Sequence, residues 1–262
     1  MKKLRRIFCF ILIFTMILSL AGCSSSQESD PKKVLEDAQT KTGELTSRDL
    51  TMNMDMNINV AGESVSVGVD MDCQSAGSSD ADTSQLAMTG SVNAMGMEIP
   101  MEMYYKDGCM YLNILDQKLK QEMPLENAQN QIMSYAQSFA LPADAYKDIS
   151  MEASGSGQII SFTADGTKMT ELVNTLLSSL QSQLGEEAAY SIQDVTGTIT
   201  VNSDGYITEE TLHIPMSLNV SSTGDMSTEL TCTMTNHNPG EEVTIDFPDF
   251  SEYVESDLSS FS

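Results

Sequence analysis

The sequence predicts an α+β fold: one strongly curved antiparallel sheet of about ten or eleven strands with about three helices on its concave face. Three observations predict it. Apolar and polar residues alternate over most of the chain, which is the period of a half-buried strand. Three stretches switch instead to steps of three and four, the period of an amphipathic helix. Short turn signals join the alternating runs, so neighbours in sequence become neighbours in the sheet.

A leader precedes these elements. Lys2, Lys3, Arg5 and Arg6 are followed by the apolar run Ile7 to Leu20, the pattern of a secretory signal and too short to favour a stable membrane span. The run ends in Leu20-Ala21-Gly22-Cys23, which resembles the lipobox of bacterial lipoproteins. That resemblance implies a signal peptide at 1–22 and a lipid anchor on Cys23. Two or more acyl chains hold a protein stably because each buried methylene contributes about 0.8 kcal/mol. The polar segment 23–30 reads as a flexible tether, leaving a single domain at 31–248 and an acidic tail at 249–262. The location implied is the outer face of the cell membrane, or of an outer membrane in a cell with two.

Within the domain, Asp30-Pro31 is a helix start, a capping side chain followed by a residue already at helical φ. A helix is expected from Pro31 to Thr42, ending near Gly43. From Leu50 the period becomes two. Five strands follow, over residues 50–60, 64–72, 86–92, 97–103 and 110–114. Lys106-Asp107-Gly108 is a hairpin turn of the type needing positive φ, and the five strands together make a meander with one wet face. A helical period returns between Pro124 and Leu141. Two strands, 149–153 and 158–164, are joined at Gly155-Ser156-Gly157. Asp165-Gly166-Thr167 then caps the most strongly patterned helix, whose stripe includes Leu172, Leu176 and Leu180 and stops at Gly185. Strands near 195–201, 212–220, 226–234 and 243–247 complete the domain, and the Ser-rich acidic ending reads as loosely held.

The lipobox at Cys23, this order of elements, and the ending Asn236 to Phe247 (NHNPGEEVTIDF) resemble the LolA and LolB lipoprotein carriers and the mycobacterial LprG and LppX lipoproteins. The resemblance implies an unclosed barrel whose interior holds acyl chains. It carries over no functional residue beyond Cys23.

Charge excludes some partners. Of 13 Lys and Arg, four lie in the leader, so nine face all 38 Asp and Glu in the rest. Such a chain repels phosphates, which excludes nucleic acid and charge-driven attachment to anionic lipid. A monomer is expected. Cys73, Cys109 and Cys232 are an odd set that allows at most one bridge. Cys73 and Cys232 fall on apolar strand faces and read as small buried hydrophobes.

Catalytic machinery is hard to find. His213 and His237 have no partner motif and read as sheet-surface residues. No nucleophile elbow, phosphate loop or cofactor fingerprint occurs, so no enzyme, cofactor or metal is expected. The acidic pairs Asp70–Asp72 and Asp80–Asp82 lack the remaining ligands of a calcium loop. Methionine is the sharper signal: 19 in the chain, two of them in the leader. Thioethers are soft ligands for Cu(I), but no histidine interleaves the Met-x-Met runs, and period-two spacing is that of any strand face. A Met-lined cavity follows more readily, because unbranched polarisable side chains adapt to variable apolar shapes. Its candidate lining is Met52, Met54, Met56, Met97, Met101, Met103, Leu112, Leu172, Leu176 and Leu180. The function expected is a membrane-anchored lipoprotein that binds or carries a hydrophobic ligand such as lipid acyl chains. The alternative is a non-catalytic envelope interaction or structural lipoprotein with a fully packed Met-rich core.

Overall fold

The computed structural model describes residues 30–60, 63–77, 84–94, 96–124, 141, 145–168, 188–220 and 224–256. Helix α1 (Pro31–Gly43) opens the described chain. The Asp30 carboxylate accepts from Lys32 N at 3.0 Å, satisfying a backbone donor that has no partner within the helix. Leu35 and Ala38, three apart, are the buried residues of α1. The far end is pinned where Arg48 donates to the Thr42 and Gly43 carbonyls, each at 3.0 Å, and where the Thr42 hydroxyl accepts from Ile207 N.

Thirteen strands form one sheet: β1 (Arg48–Val60), β2 (Glu63–Ala76), β3 (Gln85–Ala94), β4 (Met97–Lys106), β5 (Cys109–Ile114), β6 (Gln117–Glu122), β7 (Tyr146–Ser154), β8 (Gly157–Ala164), β9 (Ala188–Ile192), β10 (Val195–Val201), β11 (Ile207–Val220), β12 (Gly224–Asn236) and β13 (Val254–Glu255). The order across it is β13-β6-β5-β4-β3-β2-β1-β12-β11-β10-β8-β7, and β9 pairs β11 beside β10. The sheet is curved and unclosed, with β13 and β7 at its two ends. Every pairing is antiparallel except the two-residue contact of β13 with β6. Strand β11 is long enough to take β10 along its first half and β9 along its second. Pro215 sits between the two registers. Its carbonyl accepts from Gln193 N at 3.0 Å, so the missing proline N–H falls where the neighbouring strand is interrupted.

Four expectations are corrected. Among the described residues the sheet has thirteen strands, not ten or eleven: β6, β9 and β13 are additional. Val243–Phe247 is extended but unpaired, because it crosses the polar face of the sheet rather than joining an edge. The described residues carry α1, the opening residues 166–168 of a further helix and one 3₁₀ turn, Phe250–Glu252, rather than three helices on one face, and that turn packs on the polar face. The helix expected between Pro124 and Leu141 lies outside the described residues apart from its ends, and so does the one beyond Lys168. Its start is described: Asp165 Oδ1 accepts from Thr167 N at 3.0 Å. Finally, the ending is not loose as far as Ser256. Tyr253 is buried, Lys118 and Lys120 pair with Glu252 and Glu255, and Ser256 N donates to the Lys120 carbonyl.

This C-terminal strap also means that the outer face is not wet throughout. Ala87, Tyr104 and Tyr111 point out of β3, β4 and β5 and are covered by Ile245, Phe247 and Phe250. The Phe250 ring stacks on Tyr111 with centroids 3.8 Å apart. Burying two rings in this way adds about 1 kcal/mol to what their area contributes.

Candidate functional site

The opposite face is apolar along most of its length, and the register shows why. One cross-strand row runs Ile114, Met101, Gly90, Met71, Met52, Met234, Glu210, Ile199, Ile160, Met151, from β5 to β7. The next runs Ile99, Val92, Val69, Met54, Cys232, Leu212, Gly197, Phe162, Ile149. Because side chains alternate across a strand, each row presents all its members to one side. Glycine appears where a neighbour needs the space. A Cβ on Gly90 would lie 2.8 Å from Met71 Sδ, and one on Gly197 would meet the Phe162 ring at 2.5 Å.

Two parts of this face are closely packed. Beneath α1, Leu35 and Ala38 meet Ile160, Phe162, Val195, Ile199, Leu212, Ile214 and Cys232. Near the other end Tyr105, Met110 and Leu112 form a second cluster with Met103, Leu119 and Met123. Between them, the side chains of Met56, Val65, Val67, Val69, Val92, Ile99 and Met101 are only half-buried. Thioether and branched aliphatic groups therefore make an apolar floor between two packed ends.

Glu210 interrupts this chemistry. It lies between Ile199 and Met234, and burial pushes its carboxyl up from 4.5 to about 7. Among the described residues nothing donates to it. Burial holds the Cys232 thiol on β12 and the Tyr146 hydroxyl on β7 in their neutral forms, and the Glu210 charge adds to this by disfavouring their ionisation further. Tyr146 Oη in turn accepts from Gln39 Nε2 of α1 at 3.3 Å. Asn236, diagonal to Glu210 across β11 and β12, is 92 % buried. Its Nδ2 donates to the Ile207 carbonyl at 3.1 Å, while its Oδ1 has no partner. A polar corner thus sits at the edge of the α1 cluster. The alternation read from Leu212 onward, carried back one step, places Glu210 on this face; that was the signal available in the sequence.

On the polar face a cleft of about 430 Å³ is lined by Asp49, Thr51, Asp72, Gln74, Thr89, Tyr104, His237 and Asp246 among others. Thr51 Oγ1 links Asp72 Oδ1 and His237 Nε2, at 2.8 Å each. No group of three or more His, Cys, Asp or Glu among the described residues is placed to hold a metal ion. His213 and His237 are both exposed, and Cys73, Cys109 and Cys232 are all free thiols.

A model for a family of unknown function, DUF6612, matches residues 30–248. The chain belongs to the DUF6612 family. No curated protein matches it. Solved structures similar to this DUF6612 chain include LprF from Mycobacterium bovis, at 14 % identity, 83 % of this chain, 96 % of that chain and TM-score 0.43. The lipoprotein LppX from Mycobacterium tuberculosis follows at 11 % identity, 83 % and 100 % coverage and TM-score 0.42. A LolA superfamily protein from Nitrosomonas europaea has 9 % identity, 83 % and 94 % coverage and TM-score 0.23. LppX and the LolA superfamily are groups that the sequence itself resembles.

In the DUF6612 chain the predicted site residues divide into three sets. Met52, Met54, Met56, Met101, Met103 and Leu112 share the apolar face, with Met52 and Met54 against the α1 cluster and Met103 and Leu112 in the second cluster. Met97 has the same parity but stands 63 % exposed at the start of β4. Leu172, Leu176 and Leu180 lie outside the described residues, as do Cys23 and the tether. No helix among the described residues is long and apolar enough to cross a membrane.

Proposed function

We propose that this chain is a lipid-anchored, extracytoplasmic lipoprotein whose apolar sheet face binds a hydrophobic ligand, such as lipid acyl chains. The observation that carries the reading is the half-buried Met, Val and Ile floor between two packed clusters on one continuous face. Methionine suits such a floor because its three rotatable bonds let it follow a ligand's shape. Cys23 would supply the anchor, with residues 1–22 removed and 23–30 as tether to a domain spanning 31–248. Leu172, Leu176 and Leu180 are proposed as further lining of the ligand site. The molecule needs no partner copy in this reading and acts as a carrier, not as an enzyme.

The test is direct. The Cys23→Ser chain, exported without its anchor, is analysed by native mass spectrometry and titrated with 1-N-phenylnaphthylamine. Co-purifying apolar mass, or saturable probe fluorescence that added fatty acid displaces, is the outcome expected. A bare protein indifferent to the probe would leave the packed-core alternative, an envelope interaction protein, in its place.

A further inference from the structure

The ligand-binding reading leaves open what head group the apolar face would accept, and the polar corner bears on that. We propose that Glu210 and Asn236 form the head-group end of the ligand site and select an amphiphile whose polar end carries N–H or O–H donors, above all a primary ammonium. The inference rests on the binding function proposed above.

Four observations support it. Glu210 is the one charged member of its row between Ile114 and Met151, where every other position is apolar. Its diagonal neighbour Asn236 has a buried oxygen without a donor. The Asn236 oxygen has lost its hydration without gaining a bond, and the half-buried Glu210 carboxylate has lost part of its own, so a donor arriving there would stabilise both. The groups around them do not supply it. From α1, Gln39 is turned to Tyr146; from β7, the Tyr146 hydroxyl feels the Glu210 charge without hydrogen-bonding to the carboxylate; from β1, Arg48 directs Nη2 to the Thr42 and Gly43 carbonyls and none of its other N–H groups bonds to either acceptor; from β12, Cys232 offers a thiol, which is a weak donor. An ammonium group has three N–H donors and the opposite charge, so it can bond to both acceptors at once. A carboxylate head group offers no donor and meets like charge at Glu210.

The corner also adjoins the floor. Met234 and Met52, the next two members of the row beyond Glu210 toward β1, are partly buried against the α1 cluster. A ligand with its head at Glu210 would therefore run its chain along the row through Met52 and Met71 toward Met101.

The experiment displaces 1-N-phenylnaphthylamine from the Cys23→Ser chain with decylamine and with decanoate at about pH 8, where Glu210, titrating at about 7, is ionised. Decylamine is expected to displace the probe about ten-fold more effectively, the size of one charge-assisted hydrogen bond. Glu210→Gln keeps the side chain's shape and should bring the two within about two-fold of each other while the probe still binds. If the amine preference survives Glu210→Gln, it belongs to the acidity of the whole protein, and this inference falls. It falls equally if the wild-type chain binds the probe without preference, the binding function then standing. A chain that never binds the probe overturns both.

Discussion

At the scale of the residue, Glu210 makes the sharpest demand on the fold. A carboxyl whose folded pKa is raised holds its proton longer in the native state than in the unfolded chain. Stability therefore falls as pH rises through the window from 4.5 to about 7, and the penalty is complete above it. Its full size is of order 3 kcal/mol. Glu210→Gln should thus leave stability near pH 5 almost unchanged and raise it near pH 8, which urea unfolding midpoints at the two pH values will show. A variant whose gain were the same at both would mean that the carboxyl is solvated. Gly90 makes the opposite kind of demand. A Cβ there would collide with the Asp70 carbonyl as well as with Met71, and backbone cannot step aside as a side chain can. Gly90→Ala is expected to cost about 3 kcal/mol, read as a lower unfolding midpoint. Glu210 was within reach of sequence reading because parity alone places it. Asn236 was not, since its orphaned oxygen depends on where Ile207 lies after a turn.

At the scale of the element, what was legible is what local chemistry specifies. The Asp30 cap, the Asp107-Gly108 turn at φ 52° and 75°, and ten of the strands all announce themselves by capping, positive-φ residues or alternation. What escaped lacks those marks. The β5–β6 turn uses Leu115 and Asp116 at φ 51° and 62°, without glycine or asparagine, and β6 (QKLKQE) has Leu119 as its one apolar residue, too few to show alternation. Strand β13 is two residues long, and only its pairing identifies it. Val243–Phe247 alternates like a strand because alternate residues pack downward, but onto side chains rather than into a hydrogen-bond ladder. The strap should accordingly depend on rings. Phe250→Ala removes contacts with Tyr104, Tyr111, Phe247 and Tyr253 and should cost about 3 kcal/mol. In hydrogen exchange, protection should be lost first on β6, with β10 to β12 unaffected. Uniform loss across the sheet would instead make the strap part of one cooperative unit with α1.

At the scale of the whole molecule, acidity and apolarity are assigned to different surfaces. With nine Lys and Arg against 38 Asp and Glu once the leader is removed, the exported Cys23→Ser chain should not sediment with vesicles of anionic lipid at any ionic strength. Binding that strengthened as salt was lowered would contradict the charge argument. Membrane contact would then depend on the anchor alone, and ligand contact on the apolar face alone. The open path from β13 to β7 adds a mechanical consequence. In a closed barrel, strand number and stagger together set the diameter, so the bore is a constant of the fold. A sheet whose ends never meet is under no such constraint. Small changes of twist shared among many strand pairs can widen or narrow its mouth without breaking one backbone bond. If the apolar face binds a ligand as proposed, such a clasp would admit guests of different girth by flexing, with its compliance distributed along the whole arc rather than concentrated at a hinge.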